Sequence, residues 1–487
     1  MHLLKNWRNL SRYEKCLLCV FLLTVPLMNP WVRGDGVGYY AYGRALLIEG
    51  RLDFTQDWIR ANPTFRMGRV DSEDHILPDQ YTRTGRLDDH FTVGPAILWF
   101  PFLVAAHAAV NMSDALGAHL PADGFSWPYS TAMACGTAFY GFLGLWLSFQ
   151  IAKRLFSERW AFLATLGIWF ASSLPVYLYF NPSWSHAHSA FVVALFVWYW
   201  LRTKDERTYF QWILLGLIGG LMMDVYYPNA ILLILPAADS LRAYWAHFQE
   251  SSTTRSSLGL VLARDALFMA ALILALSPIF LSRWIVYGNV FESGYVAVRD
   301  WQWTSPAVGS VLFSSDHGLF SWTPVLAIAC VGLVLFWLRE AWLGGNLLLV
   351  FVAFYYFIAS YPDWDGISSF GNRFFVSLTA IFVVGLAAFF DWLERVWRWR
   401  PVGAFVSGAT ALLIVWNLGL IFQWGTHLIP PRGPISWRDA AYNEVVVVPA
   451  MATRTLKNYL TSRSQLMHHI EQEDLKTLKS GQAAGTE

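Results

Sequence analysis

Residues 91 to 113 read FTVGPAILWFPFLVAAHAAVNMS. The stretch is uncharged and long enough for one bilayer crossing, which takes about 20 apolar residues at 1.5 Å rise. It also opens on Phe91 and carries Pro95, Pro101 and His107. Every later loop changes sides if it crosses, so the topology turns on it. Positive charge decides, because short cytoplasmic segments hold the excess of Lys and Arg. If the stretch stays on the outer face, the short inner segments carry Lys5, Arg8, Arg12 and Lys15, then Lys153, Arg154 and Arg159, then Arg202, Lys204 and Arg207, then Arg242, Arg255 and Arg264, then Arg339, then Arg395, Arg398 and Arg400, 17 in all. The short outer loops then keep only Arg283, Arg299 and Arg373. If it crosses, only the four N-terminal charges and those three are inside, 7 against 13 outside. The stretch is therefore expected to lie in the outer interface or to dip partway.

Other uncharged stretches run from 16 to 32, 127 to 152, 160 to 201, 208 to 238 (broken by Asp224), 266 to 282, 318 to 338, 341 to 362, 374 to 390 and 401 to 431. The third breaks into two at Asn181-Pro182-Ser183, since the residue before proline resists helix. The fourth breaks at Asp224 and Pro228 into a short hairpin. The pattern predicts an all-α polytopic membrane protein of about eleven transmembrane helices within residues 1–424, its N-terminus cytoplasmic. A first outer loop, 33–126, carries interfacial helices, and a tail, 425–487, lies outside by parity. The first span, preceded by Lys5, Arg8, Arg12 and Lys15, is expected to be retained, because no small-residue cleavage site follows it.

Of 487 residues, 55% are hydrophobic and 14% charged, against about a quarter charged in soluble proteins. With mean hydropathy +0.38, this excludes a soluble enzyme. A net charge of +1 leaves no broad basic surface for nucleic acid. Cys16, Cys19, Cys135 and Cys330 all fall in apolar stretches, so neither a disulfide framework nor a redox role for the Cys16/Cys19 pair is expected.

The outer loop is the one sizeable polar block between spans. Asp35, in Arg33-Gly34-Asp35-Gly36, stands at headgroup depth, either as a functional carboxylate or as a cap on the helix that follows, which Gly50 should stop. Asp88, Asp89 and His90 can bind a metal or hold a substrate hydroxyl, or end the loop as solvated groups. His186 and His188, at i and i+2, do not share a helical face, which disfavours a metal site. Arg373 starts a late span from the outer side against the charge bias. A guanidinium there suits a phosphate, which it matches bidentately, or snorkels at the interface. Arg299 and His317 share its compartment, as do Arg283 and Asp316. Residues 451 to 479 carry mixed charge, consistent with a short surface helix.

Four places resemble the GT-C superfamily of membrane glycosyltransferases, particularly bacterial relatives of protein O-mannosyltransferases and the lipid A aminoarabinose transferase. They are Gly34-Asp35-Gly36-Val37-Gly38-Tyr39-Tyr40 after the first span, Asp88-Asp89-His90-Phe91-Thr92-Val93-Gly94-Pro95 before the interfacial helix, Ala152-Lys153-Arg154-Leu155-Phe156-Ser157 after the second span, and Arg373-Phe374-Phe375. Relatives often carry a Glu-Lys-Pro-Pro type sequence where His90 and Pro95 stand here.

The resemblance implies Asp35 as catalytic base and a sugar on a polyprenyl phosphate as donor. The acceptor would be a lipid, glycan or protein hydroxyl in the envelope, and the site would face outward from a bacterial inner membrane. Arg373, with Arg299 and His317, would take the leaving phosphate, and a single displacement would invert the anomeric centre. Asp88, Asp89 and His90 are candidate acceptor or metal contacts, and a divalent metal is compatible. The rival reading, a transporter or flippase of lipid-linked sugars, calls for mid-membrane polar residues and internal repeats; neither is present in the sequence.

Overall fold

The structure is a computed structural model that describes residues 9–204, 206–249, 258–292, 294–397 and 401–484. It is helical throughout, with no strand among the described residues beyond two isolated bridges in the first loop, Val70 with Ile76 and Tyr81 with Leu87. In chain order the long helices are α1 (Arg12–Thr24), α2 (Asp35–Glu49), α3 (Gly94–Ala115), α4 (Trp127–Leu155), α5 (Glu158–Phe170), α6 (His186–Thr203), α7 (Tyr209–Val225), α8 (Ile234–Phe248), α9 (Leu258–Ala275), α10 (Ser277–Tyr287), α11 (Pro324–Arg339), α12 (Ala341–Ala359), α13 (Thr379–Val396), α14 (Val402–Gly425), α15 (Val448–Thr461) and α16 (Arg463–Ala484). Among the described residues, six helices are long and apolar enough to cross a membrane: α3, α4, α9, Ala341–Ser360, Arg373–Val396 and α14. The protein is thus a multi-pass membrane protein. All four cysteines are free.

Polar contacts mark the two ends of the bundle. At one end, Glu14 at the start of α1 accepts from Gln150 at 2.7 Å and from Lys153 at 3.1 Å near the end of α4. Trp160 at the start of α5 donates to Glu394 near the end of α13 at 2.6 Å, and Arg339 closing α11 reaches Asp391 at 2.8 Å. Trp200 near the end of α6 donates to Asp239 of α8 at 2.7 Å, beside Arg207 ahead of α7. At the opposite end, Thr92 donates to the carbonyl of Val225 at 2.8 Å. His107 of α3 meets the Tyr129 hydroxyl at 2.6 Å, and Trp99 donates to Thr137 at 2.8 Å, so α3 runs back along the first half of α4.

Helix α2 ends where expected, at Gly50 with φ +65. It is not an interfacial helix with one wet face. All of Gly36 to Ala45 is buried. Val37, Ala41, Tyr42 and Ala45 pack with Phe54, Trp58, Phe65 and Leu87 of the loop, while Tyr39 and Tyr40 pack with Phe91, Trp99 and Tyr129. Both faces are apolar, so the helix is enclosed by its own loop on one side and by α3 and α4 on the other. A buried bidentate pair, Arg44 with Asp57 at 2.6 and 2.7 Å, ties it to the turn Thr55–Ile59.

The tail forms two helices, α15 and α16, mostly exposed or half-buried along 451–479, and side-chain bonds pin them to the rest of the chain. Tyr459 donates to the Leu27 carbonyl and Arg463 to that of Pro26, each at 2.7 Å, and the buried Glu471 accepts from Asn62 at 2.7 Å and from the Thr64 amide at 2.8 Å. These bonds lay α16 across the first loop.

Candidate active site

Asp35 is the first residue of α2, whose N-cap position is held by Gly34. The Asp35 carboxylate accepts from Arg373 at 2.7 Å, across 338 positions of sequence. Two close approaches put it there. A Cβ on Gly36 would lie 2.0 Å from the Ser183 hydroxyl, and one on Gly38 2.0 Å from the Phe91 ring and 2.9 Å from Asp89. Only glycine lets α2 sit against both segments.

Arg373 opens the turn Arg373–Leu378 that leads into α13. Its guanidinium lies 4.5 Å over Trp184, whose indole donates to the Arg33 carbonyl at 3.1 Å. Trp184 belongs to the break between α5 and α6, where Pro182 accepts from Thr137 at 2.7 Å. The break that splits the long apolar stretch thus also supplies a wall of the site, through Asn181 and Trp184. The Nε of Arg373 is buried without a hydrogen-bond partner among the described residues. A buried donor left unpaired costs about 1–3 kcal/mol, and an anion would satisfy it.

Asp35 and Arg373 line a cleft of about 340 Å³. Its other charged lining residues are Arg33, Arg69, Arg432 and Asp474, with His427. Arg33 pairs with Asp474, and His427 meets Asp474 at 2.8 Å. Burial raises the Asp474 carboxyl, but the bonds from His427 and Arg33 outweigh it and hold the group below the usual range. Four arginines against two aspartates make the cleft attractive to phosphate.

The other expected residues fall into two groups. Asp88, Asp89 and His90 lie near the cleft, with their backbone tied down; the Asp89 Oδ1 accepts from the Phe91 amide at 3.2 Å, and its Oδ2 is buried without a partner among the described residues. Arg283 donates to the carbonyls of Asp89, His90 and Phe91 at 2.7 to 2.8 Å, and Tyr287 donates to Asp88. Burial pushes the Asp89 carboxyl well above the usual range and lowers the His90 imidazole, which sits 4.2 Å from Phe91 and 4.9 Å from Tyr295. Arg299 and His317 are not brought to the cleft. Arg299 is 87% exposed on the turn Val298–Asp300, beside Asp300. His317 is buried beside Asp316, and burial pushes it down to about 4. His186 and His188 are both buried near the start of α6, and His188 lies 4.9 Å from Trp99. Arg283→Met should strip three buried carbonyls of their partner, and thermal melting together with proteolysis between 83 and 92 should report a loosened first loop.

The sequence matches no family model and no curated protein. Among solved structures, the fold is similar to that of the Archaeoglobus fulgidus oligosaccharyltransferase in complex with Zn and sulfate, with TM-score 0.44 and 14% identity over 85% of this chain and 54% of that one. It is also similar to the archaeal oligosaccharyltransferase AglB from Archaeoglobus fulgidus in complex with an inhibitory peptide and a dolichol-phosphate, with TM-score 0.41 and 12% identity over 90% and 54%. The chain spans about half the length of these structures.

Reasoning from sequence missed Arg33, Arg69, His427, Arg432 and Asp474. One signal was available for the tail: Glu471 and Asp474, at i and i+3, share a helical face. That face is the one turned to Arg33.

Proposed function

We propose that the protein is a membrane glycosyltransferase that moves a sugar from a polyprenyl-phosphate donor to an acceptor hydroxyl on the outer face of a bacterial inner membrane. The observation that carries the reading is the Asp35–Arg373 pair at 2.7 Å in a cleft rich in arginine, with the Arg373 Nε still unpaired. Asp35 takes the acceptor's proton. The acceptor oxygen bonds to the anomeric carbon as the bond to the phosphate breaks, inverting the centre, and the departing lipid phosphate collects its charge against Arg373. A donor phosphate would compete with Asp35 for the same guanidinium and draw Arg373 towards the leaving group. The acceptor is a lipid, glycan or protein of the envelope.

The topology belongs to the same proposal: eleven crossings within 1–424, loop 33–126 and tail 425–487 outside, and residues 91–113 not crossing. It is supported by the contact of Glu14 with Lys153. With α1 crossing once, the end of α4 returns to the side of Glu14 only if α3 does not cross. The 17 to 3 charge bias agrees. Cysteines at Ser72, Ile367 and Ser157, all exposed, test it in a cysteine-free background with an impermeant thiol reagent on spheroplasts. The first two should label and the third should not; external labelling at 157 would overturn the model. Ser369 is buried and unsuitable as the probe for that loop.

The functional test uses the full chain in nanodiscs with a panel of polyprenyl-phosphate pentoses and hexoses, together with mass spectrometry of envelope glycolipids and glycoproteins from cells with and without the protein. One glycosylated species should vanish, and one donor should be consumed. A donor that changes leaflet without losing its sugar would establish the flippase reading instead.

A further inference from the structure

Apart from the cleft, Asp316, His317 and Asp365 converge where the segment before the short helix Leu319–Trp322 meets the loop leading to Arg373. One ligand atom of each lies within 4.8 Å of the other two. His317 is 0% exposed. Its Nδ1 lies 3.0 Å from the Asp365 carbonyl oxygen and 3.7 Å from Asp316 Oδ1. Its Nε2 and the Asp316 Oδ1 are both buried with no hydrogen-bond partner among the described residues. No Lys or Arg is ion-paired to either aspartate among the described residues. The Trp322 ring, 5.0 Å from the imidazole, walls one side. Two carboxylates therefore lie beside a fully buried imidazole with no Lys or Arg among the described residues in ion-pair contact, Arg432 and Arg373 acting on the group only from further away.

We propose that Asp316, His317 and Asp365 bind one divalent transition-metal ion, Zn²⁺ or Mn²⁺. One imidazole and two carboxylates suit such ions, and the 2+ charge balances the two aspartates. Ligand atoms about 2.0–2.2 Å from a tetrahedral ion stand roughly 3.5 Å apart, so the three groups close by about an ångström on binding. Three protein ligands leave at least one position for water. The ion would staple two loops that are distant in sequence, and one of them supports Arg373: a Cβ on Gly366 would lie 3.2 Å from the Arg373 Nε. The site therefore positions Arg373, and its existence does not depend on the transferase reading.

The test uses tag-free full-length protein, stripped with EDTA and titrated with MnCl₂. Expected is one saturable Mn²⁺ per chain, with ¹⁴N modulation from a bound imidazole in pulsed EPR. His317→Gln should abolish the modulation and weaken binding at least tenfold. Asp365→Asn should weaken binding to a similar degree and keep the modulation. No saturable Mn²⁺ or Zn²⁺ binding would overturn the proposal, as would modulation that survives His317→Gln and disappears in His90→Gln. If His317→Gln fails to fold, Asp365→Asn decides: unaltered affinity there, or equal weakening by Asp35→Asn, also overturns it.

Discussion

Asp35→Asn should lower the transfer rate by roughly 100- to 10,000-fold, the usual cost of removing a positioned base. An amide cannot take a proton from the acceptor. It can still accept the bond from Arg373, so expression, melting temperature and donor binding should stay close to those of the parent protein. Gly34, not Asp35, holds the N-cap position of α2, which supports that separation of activity from stability. Asp35→Glu should retain part of the activity, because the carboxylate persists with its position shifted by about a bond length. Asp53 is the control. It lies in the same loop, accepts from Thr55 and pairs with Arg51 at 3.0 Å, and it does not line the cleft. Its Asn variant should transfer normally. A wild-type rate in Asp35→Asn would place the base elsewhere, and loss of the folded protein would return Asp35 to a structural role.

Arg373→Ala should lower kcat/KM for the donor by on the order of 100- to 1,000-fold, the range found when one preorganised donor to a developing negative charge is removed. Arg373→Lys should fall between, since it keeps the charge but loses the fork and much of the stacking on Trp184. The pair also predicts coupling. Asp35 and Arg373 act on one another, so the double variant Asp35→Asn/Arg373→Ala should be much less impaired than the product of the single effects. Normal donor affinity and turnover in Arg373→Ala would make the residue an interfacial anchor.

The helical, multi-pass architecture was legible because the bilayer is a severe solvent that permits few charges in a span. Asp35 and Arg373 were legible as separate oddities, one acid at headgroup depth and one cation retained against the bias. That they meet was not legible, since nothing in local sequence links positions 338 apart. Arg299 and His317 entered the phosphate set on compartment alone. Their surroundings separate them: the first is solvated on a turn and the second faces carboxylates. The helix after Asp35 was expected where it lies, with its stop at Gly50, but its burial was not. Its two apolar faces meet partners from three different segments, which periodicity within one window does not disclose. The tail was read as a surface helix, and its residues are helical and mostly exposed or half-buried, but Glu471 and Asp474 on one face are spent on Asn62, Arg33 and His427, which mixed charge alone does not disclose.

The tightness around Gly36 and Gly38 has a dynamic consequence. With no room for even a methyl group between α2 and Ser183 or Phe91, the helix bearing Asp35 cannot shift towards an incoming molecule without displacing the walls on both sides. Its opposite flank is held by Arg44 and Asp57. Compliance has to come from the other rim of the cleft, where Ile367, Ser368 and α16 contribute exposed or half-buried residues. The carboxylate is the fixed reference point, and the substrates and the tail adjust to it. Differences in acceptor choice among chains built this way would then accumulate in the rim, leaving the anchored helix unchanged.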